Sequence, residues 1–135
     1  MDFFKWEDSY SVGVRKIDEQ HKKLFDLINQ LGNAMITGKG RDIISKLLKE
    51  LKDYTVYHFT DEEKLMEDNG YPELLSHKDI HKNFVNKIKD FEKKNEEGNL
   101  SLSVDLFNFL KDWLKGHILG TDMKYKEFFK SKGIE

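Results

Sequence analysis

The sequence predicts an all-α chain, folded as an up-down-up-down four-helix bundle with an N-terminal arm and a C-terminal helical extension. Three observations carry this reading. Apolar residues recur at three- and four-residue steps along four stretches. The chain has one proline and is rich in Lys, Glu and Leu, which favours helix over strand. The breaks between the stretches are a few residues long, and short connections make successive helices antiparallel neighbours.

Residues 1–17 read as an irregular arm, because Phe3, Phe4, Trp6, Tyr10, Val12, Val14 and Ile17 keep no sustained helical period. The arm is expected to pack across the helices. Helix one is expected over about 18–37, with Asp18 as its N-cap and Glu19 in its first turn. Its stripe is Ile17, His21, Leu24, Phe25, Ile28, Leu31 and Met35, and Gly38-Lys39-Gly40 ends it. Helix two is expected over about 41–68, with stripe Ile44, Leu47, Leu48, Leu51, Tyr54, His58, Glu62 and Leu65. Asn69-Gly70-Tyr71-Pro72 is a turn, and Pro72 suits the first position of a third helix over about 72–95. That helix carries Leu74, His77, His81, Phe84, Ile88 and Phe91. Ser101 or Ser103 caps the fourth helix, over about 102–119, with Leu106, Leu110, Trp113 and His117 on its stripe. The lysine-rich stretch to about 130 reads as a plain helical extension.

At 135 residues the chain reads as one domain, 1–135. Charged residues make up 36% of it, yet the net charge is −2, which lacks the basic excess that nucleic acid requires. The absence of cysteine removes disulfides, thiolate zinc sites, iron–sulfur clusters and Cys-attached haem. Any metal must therefore be held by His, Asp and Glu. The opening Met1-Asp2-Phe3-Phe4-Lys5 has no basic region before an apolar core, so it does not read as a signal peptide. No apolar run approaches the ~20 residues of a membrane span. The expectation is a cytoplasmic protein with neither membrane nor nucleic acid as partner.

The five histidines set the functional reading. His21, His58, His77, His81 and His117 all fall on the apolar stripes, and each helix supplies at least one. Five separately buried imidazoles would need five separate sets of hydrogen-bond partners. A shared metal satisfies them together. At 1.5 Å per residue, those on the first three helices lie within roughly 15 Å of the ends that share one pole. Glu62, one turn after His58, also sits on the apolar stripe, where an ionised carboxylate is costly unless paired or metal-bound. Five nitrogens exceed what one tetrahedral zinc takes and suit two metals with bridging anions. Glu62 is one bridge, and Asp122 is the nearest acid beyond His117. On an ideal helix the step from 117 to 122 rotates about 140° off the stripe. A π-type turn between 117 and 122 is therefore expected, where Gly116 and Gly120 make distortion cheap. Asp61, Glu63 and Glu67 read as a solvated face, and Glu63→Gln is expected to be mild.

These residues resemble the hemerythrin family, in particular its single-domain bacterial members. The match runs through Trp6, Ser11-Val12-Gly13-Val14 and Ile17-Asp18-Glu19-Gln20-His21. It continues with His58-Phe59-Thr60-Asp61-Glu62-Glu63, His77-Lys78-Asp79-Ile80-His81 and Trp113-Leu114-Lys115-Gly116-His117-Ile118, and ends at Asp122. (Myohemerythrin is itself a standard four-helix bundle.) The resemblance implies a non-haem centre of two Fe ions with a bridging oxo or hydroxo group. His77, His81 and His117 would hold one iron, His21 and His58 the other, and Glu62 with Asp122 would bridge them. It implies reversible O2 binding, with a peroxide-like ligand at the five-coordinate iron. Phe25, Phe59, Trp113, Leu114 and Ile118 neighbour these ligands in sequence as an O2 pocket. The expected role is O2 storage, delivery or sensing, with a protein partner that receives O2. The alternative is a di-iron oxidase, peroxidase or nitric-oxide-handling enzyme on the same site, and a metal-storage module is a third reading.

Imidazole binds metal in its neutral form, so acid should strip the metal and destabilise the bundle. Metal analysis after dialysis across a pH series tests this. Retention of both ions at strongly acid pH would contradict it.

Overall fold

A computed structural model describes residues 4–98 and 102–134, without the side chains of residues 41, 42, 118, 119, 121 and 122. Among the described residues five α-helices form: α1 (Arg15–Ile36), α2 (Gly40–Asp68), α3 (Leu74–Glu96), α4 (Leu102–Trp113) and a short α5 (Lys126–Ser131). Between α4 and α5 the chain winds as a π-helix over Leu114–Thr121 and then as a 3-10 turn over Asp122–Tyr125. The helix α1 packs on α2 and α4, and α3 packs on the same two, which makes a four-helix bundle. No helix among the described residues is long and apolar enough to cross a membrane.

Two apolar clusters divide the interior. The larger fills the bundle and includes Leu24, Ile28, Leu31, Leu47, Leu51, Phe84, Ile88, Leu106 and Leu110. It follows from the helical stripes, whose members meet when four amphipathic helices turn inward. The smaller closes one pole of the bundle. It joins Val12, Val14 and Ile17 from the arm and α1, Met66 from the end of α2, Tyr71 from the turn, and Tyr125 and Phe129 from the C-terminal segment.

Local backbone geometry builds that closure. At the end of α2 the Tyr71 amide donates to Met66 O at 2.9 Å and the Gly70 amide to Glu67 O at 3.2 Å, with Gly70 at φ 67°. This is a Schellman motif, and it brings Tyr71 against Met66. The same pattern ends α5, where Ile134 N donates to Phe129 O at 3.0 Å and Gly133 N to Lys130 O at 3.1 Å. Ile134 then packs on the same cluster.

The arm is held by specific hydrogen bonds as well as by its aromatics. The Asn29 side chain pairs with both backbone groups of Phe4, accepting at 2.9 Å and donating at 2.7 Å. Trp6 and Tyr10 pack edge-on and tilted against Phe25, with centroids 5.4 and 5.8 Å apart.

Three local expectations are corrected. Helix α1 begins at Arg15 after Val14, so Asp18 is not its N-cap. Asp18 lies in the first turn and reaches back to the arm, accepting from the Val12 amide at 2.8 Å and from the Ser11 hydroxyl. Those donors satisfy its carboxylate without a cap. Pro72 is not the first helical residue, because the turn continues through Glu73 and α3 starts at Leu74. Ser103 falls inside α4, while Ser101 lies outside the described residues.

The C-terminal segment is more than a polar extension, since Tyr125 and Phe129 are both fully buried. Phe129→Ala should therefore cost about 3 kcal/mol in a chemical denaturation experiment, as expected for a buried phenylalanine. A loss below about 1 kcal/mol, near the floor for core truncations, would show that this segment does not pack as described.

Candidate metal centre

The five histidines and Glu62 meet between the two apolar clusters. None is more than 4% exposed. Helix α1 contributes His21, α2 contributes His58 and Glu62 one turn apart, and α3 contributes His77 and His81 one turn apart. The π segment contributes His117. Donor atoms of Glu62, His77, His81 and His117 lie within 4.8 Å of one another, as do those of His21, His58 and Glu62. Glu62 belongs to both groups.

Its two oxygens divide between them. Oε2 lies 3.6 Å from His21 Nε2 and 3.4 Å from His58 Nε2. Oε1 lies 3.7 Å from His77 Nε2 and 3.0 Å from His81 Nε2. Two donors bound at right angles to one ion, each about 2.1 Å from it, stand roughly 3 Å apart. The observed spacings match a carboxylate that spans two adjacent cation positions.

Hydrogen bonds behind the rings fix which nitrogen faces inward. Lys16 pairs with Asp61 Oδ2 at 3.3 Å, and the same oxygen accepts from Gln20 Nε2 at 2.8 Å. That contact orients the Gln20 amide, so Gln20 Oε1 faces His58 Nδ1 at 2.6 Å. An amide oxygen accepts, so the His58 proton sits on Nδ1 and the Nε2 lone pair points to Glu62. His81 is set in the same way, its Nδ1 donating to Glu63 Oε2 at 2.8 Å. Its Nε2 then confronts Glu62 Oε1 at 3.0 Å, so a positive charge must stand between them. A proton would serve one such pair. Four imidazole nitrogens around the same two oxygens form a nitrogen and oxygen donor set that could hold multivalent cations, iron among them.

The π-helix occupies the stretch where the sequence requires a distortion, and it begins earlier, at Leu114. Its i→i+5 bonding widens each turn, so residues five apart come closer to one face than in an α-helix. Asp122 directly follows this segment, and its side chain lies outside the described residues, as does that of Ile118. Among the other expected pocket residues, Phe59 stacks on His81 with centroids 3.9 Å apart, and Trp113 stacks on His117 at 4.1 Å. Leu114 is fully buried in the main cluster. Phe25 packs toward Trp6 and Tyr10.

Several contributors escape a stripe-based reading. The Tyr125 hydroxyl donates to Glu62 Oε2 at 2.9 Å. Its signal was the four-residue spacing of Tyr125 and Phe129 within a lysine-rich stretch. Gln20 reaches His58, with Asp61 behind it, through contacts between α1 and α2 that no pattern within one helix reveals. Glu63 is more than part of a solvated face: it lies half-buried at the edge of that face, and its carboxylate backs His81.

The family model described as "Hemerythrin HHE cation binding domain" matches residues 12–129. A bacteriohemerythrin of Stenotrophomonas maltophilia is 33% identical over 126 residues, which cover 93% of this chain and 81% of that protein. A myohemerythrin of Theromyzon tessulatum is 37% identical over 123 residues, covering 91% of each. A crystal structure of a hemerythrin point mutant superposes with a TM-score of 0.83 at 34% identity, covering 94% of this chain and 97% of that one.

The hydrogen bond to His81 changes what is expected of Glu63→Gln. Removing a carboxylate partner of a metal-binding histidine typically weakens metal affinity by about 10–100-fold. Competition with a chelator should show that loss for Glu63→Gln and none for the exposed Glu67→Gln. Equal affinities in the two variants would mean that the Glu63–His81 contact does not tune the site.

Proposed function

This chain belongs to the hemerythrin family, and on that premise we propose that it binds O2 reversibly at a centre of two iron ions. The observation that carries the proposal is the position of Glu62, one buried carboxylate shared by two groups of imidazoles. His77, His81 and His117 would hold one ion, and His21 and His58 the other. Glu62 would bridge them, with Asp122 as the second bridge. When bound, two ferrous ions supply two electrons that O2 can draw on and give back.

The chain's own residues account for the rest. The side with two imidazoles is one donor short of the side with three, which leaves room for O2 next to His21 and His58. Gln20 and Glu63 keep the His58 and His81 Nε2 lone pairs turned inward. The Tyr125 hydroxyl donates a hydrogen bond to Glu62 Oε2, which would hold that carboxylate in its bridging orientation. Phe59, Trp113 and Leu114 surround the site with apolar surface and exclude water, which would otherwise promote irreversible loss of electrons to O2. Phe25 and Ile118 complete the proposed pocket. Five imidazoles with few carboxylates favour the lower iron oxidation state, which suits carriage more than oxidation of a second substrate. We place this role in the cytoplasm, as storage, delivery or sensing of O2.

Metal analysis should give two irons per chain. The reduced protein should change its optical spectrum on addition of O2 and recover it when O2 is removed. Sustained consumption of peroxide or nitric oxide without such a cycle would support the enzymatic alternative instead. Glu62→Gln should lose at least one of the two irons, and full occupancy in that variant would remove Glu62 from the bridge. Leu114→Ala should speed O2 release or oxidation of the centre by at least severalfold, measured by stopped-flow and by spectral decay. Unchanged rates would assign Leu114 to core packing alone.

A further inference from the structure

A groove of about 620 Å³ runs along the outside of the bundle between α2 and α3. Four exposed lysines line it: Lys52, Lys78, Lys82 and Lys89. Lys52 pairs with Glu92 at 3.7 Å. Lys78, Lys82 and Lys89 have no carboxylate within salt-bridge distance among the described residues. Among the described residues, the one acidic side chain lining the groove is Glu63, which is engaged by His81. A chain of net charge −2 therefore carries a locally basic face. The groove's surface is mostly apolar, with Val56 67% exposed.

The floor of this groove gives the face a purpose. His81 lines it, together with Phe59, whose ring lies flat on the His81 ring with an interplanar angle of 1°. A redox group brought into the groove would be separated from the proposed iron-binding histidine by about one aromatic ring. Electron tunnelling weakens exponentially with distance, so this is a short path to the buried centre from a surface that attracts negative charge. A ring of lysines around an apolar floor suits brief docking of an acidic protein, where long-range charge sets the encounter rate and a small apolar contact sets orientation.

We infer that the α2–α3 groove docks an acidic one-electron carrier protein, which returns the oxidised centre to its ferrous state. The inference rests on the O2-binding reading above. A ferrous O2 carrier that loses electrons to O2 is left ferric and cannot bind O2 again until it is reduced. Each visiting carrier gives up one electron and leaves oxidised. Two visits return two ferric ions to two ferrous ions, and solvent supplies the compensating protons.

The probe is a plant-type [2Fe–2S] ferredoxin, which is acidic and carries one electron. Carbodiimide cross-linking of the iron-loaded protein to this ferredoxin, followed by mass spectrometry, should place the cross-links on Lys52, Lys78, Lys82 and Lys89. The triple variant Lys78→Glu, Lys82→Glu, Lys89→Glu is compared with Lys5→Glu, Lys46→Glu, Lys130→Glu, which makes the same charge change elsewhere. All six side chains are exposed, so both variants should fold, and circular dichroism checks this. Reduction by ferredoxin should be at least 10-fold slower in the groove variant than in the control, and reduction by dithionite should be equal in both. Cross-links spread over other lysines, or equal ferredoxin rates, would overturn the inference. A chain that binds no iron would defeat the O2 reading and electron entry together, while the cross-link map would still decide whether the groove is the docking surface.

Discussion

The structure is organised around a single carboxylate held where a carboxylate should not be stable. Glu62 is fully buried in a helical interior, and imidazoles and a phenol are among the groups that reach it. An isolated charge in such a setting costs several kcal/mol, a large share of the stability of a domain this size. Neutral donors soften that cost, and cations shared between the two halves of the site remove it. Much of the surrounding architecture serves this point. The helices α1, α2 and α3 and the π segment each bring a nitrogen toward it, and the apolar cluster that closes the pole brings Tyr125.

The bundle was legible in the sequence because its physics is periodic. A core-facing helix must repeat its apolar residues every three or four positions, and the stripes that run through Leu24, Leu51, Phe84 and Leu106 do so without interruption. The histidines could be read as a set for the same reason: they occupy those stripes. Even the π-helix was foreshadowed, since a needed acid five residues beyond His117 cannot reach the same face of a regular helix.

What stayed hidden is what depends on contact between elements. Gln20 reaches His58 from a different helix, and only the packing angle of α1 on α2 decides that it does. Glu63 seemed solvated because a helix of that length must have a polar face, yet it lies at the edge of that face, within reach of α3. Asp18 matched an N-cap by residue type, but its carboxylate found better donors in the arm. The helix itself starts upstream, at Arg15. In each case local chemistry offered several acceptable partners, and tertiary packing chose among them.

The closed pole has a consequence for how the protein comes into being. Its apolar layer draws on residues 12–17 and on residues 125–134, so it can form only once both of these stretches have been made and have met. A nascent chain that already carries His21, His58, Glu62, His77 and His81 still lacks His117 and the Tyr125 hydroxyl. Closure of the site in its final geometry is thereby tied to the meeting of these two distant stretches. A chain clipped before Tyr125 would leave its imidazoles open to water instead of sequestering them, so a sealed pole is a chemical mark that both stretches have folded together.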